Sequence, residues 1–136
     1  MNWYLHVLRN YANFSGRARR HEYWMFTLFH IIFLIVAAIF DNILGTTFDA
    51  DGIRIPYGYL YVLYSLVVIL PGLGVSVRRL HDVNKSGWFL LISLIPIIGG
   101  IWLLVLMCTE GTRGENQYGE DPKAPEVEDD LQEAVY

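Results

Sequence analysis

Three long stretches without Asp, Glu, Lys or Arg divide this 136-residue chain, at residues 23–40, 55–77 and 86–109. A helix rising 1.5 Å per residue needs about 17–25 residues to cross about 30 Å of hydrocarbon, so each stretch is a candidate span. In the first, "FHIIFLIVAAIF" offers almost no polar position after His30. A helix that is apolar on every side belongs in lipid or in a buried core, and too little polar chain remains to enclose three of them. The pattern therefore predicts an all-α membrane protein with three transmembrane helices, at about residues 23–40, 57–77 and 88–108. The first span is too long for the apolar core of a signal peptide and follows 22 largely polar or interfacial residues, so it is expected to be retained.

Around this membrane domain, 23–108, lie an N-terminal segment, 1–22, and a polar tail, 109–136. Tyr4, Val7, Leu8 and Tyr11 recur at the spacing of one helical face. This short amphipathic helix could lie among headgroups or pack on the protein's own cytosolic face, and the spacing allows both. The third apolar run is interrupted by Pro96 and Gly99-Gly100. A full span is the preferred reading, because a re-entrant hairpin would expose a backbone turn that this small chain has little protein to shield. The acidic "APEVEDDLQEAV" of the tail reads as disordered and solvated.

Composition supports the membrane class, since 54% of residues are hydrophobic, above the roughly 45–50% usual in soluble domains. Charge then orients the chain. Arg9, Arg17, Arg19 and Arg20 precede the first span, and Arg78, Arg79 and Lys85 follow the second, whereas the intervening loop holds Arg54 alone among basic residues. Basic residues accumulate in cytoplasmic loops, so the N-terminus is expected inside. Cys108 is the one cysteine, which excludes an intramolecular disulfide.

Candidate chemistry concentrates in "VRRLHDVNKSGW". No HExxH, CxxC, GxSxG or phosphate-loop spacing occurs in the chain, so neither catalysis nor a cofactor or metal is expected. Arginines ending a helix serve as topology signals and snorkel to headgroups. Asp82 lies four residues after Arg78 and three after Arg79, close enough for a same-face ion pair if the helix continues that far. Arginine forks on an ordered turn suit a phosphate or carboxylate. Within the spans, His30 is the ionisable group at depth, a site candidate by default, with a neutral imidazole bonded to Tyr64 or Ser65 as the plainer reading. Pro71-Gly72 and Pro96 interrupt the second and third runs at similar depth, which could frame a cavity or mark close packing.

"FSGRARRHEYW", "RRLHD" with "SGW", and "NQYGEDP" together resemble the signatures of the bacterial inner-membrane family catalogued as domain of unknown function eight hundred and five. The resemblance implies a multi-pass protein of the bacterial cell inner membrane with no established activity, and draws attention to the motif positions. The expected function is a non-enzymatic module whose basic cytoplasmic surface, from Arg17, Arg19, Arg20, Arg78 and Arg79 with His81, Asp82, Ser86 and Trp88, binds anionic phospholipid headgroups or a membrane-protein partner. Homo-oligomers are compatible with that reading, and nucleic acid is not expected as a partner. The alternative is a small transporter or channel subunit using His30 and the Pro/Gly breaks.

Overall fold

The computed structural model describes residues 2–135, apart from the side chains of 126–130. Two long helices form its axis: α2, Arg20–Leu44, and α3, Tyr59–Asp82, with mean hydropathies of 2.2 and 2.1 over their most apolar windows. Both are long and apolar enough to cross a membrane. Pro71 lies inside α3 without ending it. The expected break at this position is therefore not observed.

Helix α1, Asn2–Arg9, crosses the α2–α3 pair near the arginine-bearing ends. Val7 is fully buried, and the Tyr4 ring stacks on Phe26 at 5.4 Å between centroids. Of the two readings of the amphipathic face, the structure takes packing on the protein itself. The core is accordingly small, with Tyr4, Val7, Ala18, Phe26, Val68 and Val75 in one cluster and Leu80, Leu106 and Met107 in another.

The far ends of α2 and α3 are joined by a two-stranded antiparallel sheet, β1, Thr47–Ala50, and β2, Ile53–Gly58, so the fold is mostly helical rather than all-α. Asp51 and Gly52 have φ of 51° and 78°. Positive φ at both central residues is the tight hairpin geometry for which an Asp-Gly pair is suited. Asp41, fully buried, fastens this end. Its carboxylate accepts from the backbone N–H groups of Gly58, Leu60 and Tyr61 at 2.9–3.0 Å and from the Thr46 hydroxyl at 2.6 Å. It thereby satisfies donors at the start of α3 that the helix cannot satisfy itself.

The third apolar run is not one helix. It forms a 3₁₀ segment, Gly87–Leu94, and a helix α4, Ile98–Cys108, folded back on each other. A side chain at Gly99 would overlap the Ile92 carbonyl, so glycine permits the fold-back. Each arm is about 16 Å long at 2.0 or 1.5 Å per residue, half a bilayer. The tip is a γ-turn centred on Ile97, φ 66° and ψ −63°, in which the Ile98 N–H donates to the Pro96 carbonyl at 2.7 Å. Ile95 and Gly99 N–H groups bond to Ile92 and Ile95 carbonyls, while Pro96 has no N–H to satisfy. The turn therefore supplies part of the hydrogen bonding that a hairpin in hydrocarbon otherwise lacks, which weakens the reason for preferring a continuous helix over 88–108.

Both ends of this run meet the arginine-bearing end of α3, and residues 109–123 continue as an ordered strap across it. The tail then ends in α5, Ala124–Val135, where disorder was expected. Solvation of the acidic positions 126–130 lies outside the described residues.

Candidate functional site

At the shared end of α2 and α3, three arginines turn inward. The side chains of Arg17, Arg78 and Arg79 are 1%, 5% and 0% exposed. Asp82 sits between two of them, with Arg17 Nη2 at 3.0 Å and Arg79 Nη1 at 2.5 Å from its carboxylate oxygens. Arg78 pairs instead with Glu22, at 2.8 Å. The helical spacing thus finds the Arg79–Asp82 pair, while the partner of Arg78 comes from the neighbouring helix.

Two buried carboxylates face three buried guanidiniums, and backbone carbonyls supply the remaining acceptors. Arg17 donates to the carbonyls of Thr112 and Gly114, the latter at 2.6 Å, and Arg79 donates to those of Met107, at 3.2 Å, and Thr109. A charge out of water is tolerated when paired and hydrogen-bonded in this way. Arg78 is less fully compensated, because its Nε and Nη2 have no hydrogen-bond partner among the described residues. Gly111 has no room for a side chain, which would overlap the Asp82 carboxylate.

The "NQYGEDP" segment holds the strap in place. Asn116 donates to the His81 carbonyl at 2.9 Å, and the Tyr118 ring stacks on the His81 imidazole at 4.0 Å and 2°. His81 Nδ1 lies 3.0 Å from the Gly16 carbonyl. Asp121 accepts from the Gly114 and Lys123 N–H groups at 2.9 and 3.0 Å. Partial burial acts to raise its carboxyl, but the Lys123 and Gly114 N–H groups, helped by Arg17, hold it below the ordinary aspartate value. The three sequence signatures therefore meet in one latch.

The other candidate residues face outward. Arg20, exposed, reaches the Cys108 carbonyl at 3.3 Å, and the Arg19 guanidinium lies 4.4 Å from the centre of the Trp3 ring. Arg19, Arg20, His21 and Lys123 line a surface hollow of about 400 Å³, with no carboxylate in its lining among the described residues. Lys123 also approaches Glu110 at 3.9 Å. Ser86 and the 79% exposed Trp88 border a separate, largely apolar hollow with Phe14 and His81. His30 stands apart on α2, its Nδ1 3.3 Å from the Tyr64 hydroxyl, as its plainer reading expected.

Sequence reading did not assign Glu22, Asp41 or the carbonyl-bearing strap. Glu22 did carry a signal, as the lone acid of the basic first motif. Asp41 offered one as an acid closing a long apolar run.

The family model described as "Protein of unknown function (DUF805)" matches residues 11–120. Over 123 residues the chain is 50% identical to inner membrane protein YhaI of Escherichia coli strain K12, covering 90% of this chain and 97% of that protein. It is 49% identical to inner membrane protein YhaH of the same strain, over 90% of this chain and 98% of the relative. A more distant likeness, 28% over 137 positions, is to the uncharacterized protein YiiR, with 80% and 85% of the two chains covered. No solved structure matches the chain significantly.

Proposed function

The chain belongs to the DUF805 family of proteins of unknown function, and from that premise we propose that it is a non-enzymatic inner-membrane module that binds anionic phospholipid headgroups at its cytoplasmic rim. Its relatives are named as inner membrane proteins, without an enzymatic activity in the name. In this reading α2 and α3 cross the bilayer, the 3₁₀ segment and α4 form a re-entrant hairpin, and the arginine end faces the cytoplasm. Of the ten Lys and Arg residues, Arg54 alone belongs to the hairpin at the opposite end. That nine-to-one division accords with positive residues staying inside.

The observation that carries the binding reading is that Arg20, His21 and Lys123 converge on one hollow, which offers donors to an anion and, among the described residues, has no lining carboxylate to repel it. Its place beside the start of α2 sets it at headgroup level. Arg17, Arg78 and Arg79, expected at such a surface, are instead consumed by the latch, so their role in this account is to hold the rim together. Pro71 leaves α3 unbroken, which deprives the transport reading of its paired helix breaks.

Native mass spectrometry of protein extracted from native membranes tests this. Replacing Arg20, His21 and Lys123 with Gln is expected to lower retention of phosphatidylglycerol and cardiolipin severalfold relative to phosphatidylethanolamine, with insertion unchanged. Unchanged lipid retention would refute the headgroup reading. Loss of a stoichiometric protein partner in its place would assign the rim to that partner.

A further inference from the structure

Between α2 and α3, at membrane depth, lies a groove of about 540 Å³ that neither the latch nor the rim uses. Its walls are Phe26, Leu34, Val68, Ile69 and Leu73, and its polar points include His30 and Tyr61. Among the described residues, no Asp, Glu, Lys or Arg contributes to the lining. An apolar pocket with a few convergent polar groups has the general character of a small-molecule site, and its size falls within the usual range of about 300–1,000 Å³. A charged ligand would find no counter-ion here, so the lining selects a neutral one.

The hydrogen bonds around His30 fix what that ligand must offer. Tyr4 and Tyr64 hydroxyls are 2.8 Å apart, and Tyr64 is 3.3 Å from His30 Nδ1. A phenol is the better proton donor of that pair, so the chain runs Tyr4 to Tyr64 to Nδ1 and places the imidazole proton on Nε2. Nε2 has no partner among the described residues, and His30 lines the groove. Tyr64 itself does not line it, so the edge of the ring left for the groove is a donor. Phe26 lies parallel to the imidazole, at 6.1 Å and 1°, and presents an aromatic wall. The phenol of Tyr61 lines the same groove.

We infer that this groove binds a neutral, membrane-dissolved ligand of the quinone class, its ring against Phe26 and one ring carbonyl accepting from His30 Nε2–H. A phospholipid ester carbonyl shares the acceptor chemistry, but it is held at the interface. His30 lies eight residues along α2 beyond Glu22, about 12 Å deeper. The inference rests on the membrane placement above and not on headgroup binding.

Full-length protein in phosphatidylcholine nanodiscs, titrated with decylubiquinone and corrected for partition into empty discs, provides the test. One saturable site per chain is expected, weakened roughly five- to tenfold by His30→Leu through loss of the donor and restored to within about twofold by His30→Gln, whose amide can donate. Leu34→Trp, which fills the groove, should abolish saturation without disturbing the latch. Titration with a short-chain phosphatidylcholine in place of the quinone should not reproduce the His30 dependence. Uptake no greater than in empty discs, equal affinity in the His30→Leu protein, or a groove found occupied by a second copy of the chain would each overturn the assignment. Headgroup retention on the same samples is read separately, so either reading can fail while the other stands.

Discussion

Replacing Asp82 with Ala is expected to destabilise the protein by roughly 3–5 kcal/mol, the range for breaking a buried ion pair by removing one partner. The carboxylate faces Arg17 and Arg79 together, and both side chains are almost wholly buried. Its removal leaves two guanidiniums out of water, held by backbone carbonyls alone. The strap over residues 109–123 should loosen as well, because those carbonyls cannot neutralise two full charges. Asp82→Asn, which keeps an acceptor and the side-chain volume while losing the charge, should fall between Ala and the parent. Thermal unfolding in detergent, followed by scanning fluorimetry, reads the series. A change of less than about 1 kcal/mol in the Ala protein, the value of an exposed pair, would show that the carbonyls suffice.

The opposite end of the molecule depends on a different carboxylate. Asp41→Ala removes the acceptor of three backbone N–H groups and the Thr46 hydroxyl at the junction of α2, the β-hairpin and α3. Loss of a helix cap of this kind is expected to lower the melting temperature by roughly 5 °C or more. Asp41→Asn retains one carbonyl acceptor and should recover part of the loss. Because this site is far from the latch and shares no partner with it, the effects of Asp41→Ala and Asp82→Ala should add. Coupling between them would contradict two independent fastenings.

Much of this architecture is legible in the chain because it follows from length and polarity. Residues 23–40 lie inside α2, and the run 57–77 begins two residues before α3; at the latch end the helices outrun the charge-free stretches because "RHEY" and "RRLHD" are helical. The Asp51-Gly52 pair carried the signal for the β-hairpin, between segments that its short strands leave mostly exposed. In the third run, Pro96 and Gly99 gave the correct warning. The hydrogen-bonded turn that makes a fold-back tolerable could not be read from composition.

The candidate site was legible as a set of residues but not as an arrangement. Charge at the membrane edge ordinarily reads as exposed and snorkelling. What turns Arg17, Arg78 and Arg79 inward is the approach of Asp82 and Glu22, 65 and 56 residues distant from Arg17 and Arg78 in sequence, together with the carbonyls of the strap. Local spacing reveals Arg79 with Asp82 and nothing of those longer contacts. The three motifs single out Arg17, Arg78, Arg79 and Asp82 of the latch, but neither Glu22 nor the carbonyls of Thr109, Thr112 and Gly114.

The central claim is that the third apolar run turns back, so that the strap and tail share the arginine end of the molecule. Single cysteines in a Cys108→Ser background test it directly, at Ile53 in the β-hairpin and at Glu115 in the strap, both exposed. With a membrane-impermeant maleimide, Ile53→Cys should react in intact cells, and Glu115→Cys only after permeabilisation. Labelling of Glu115→Cys in intact cells would establish a third full crossing and contradict the account.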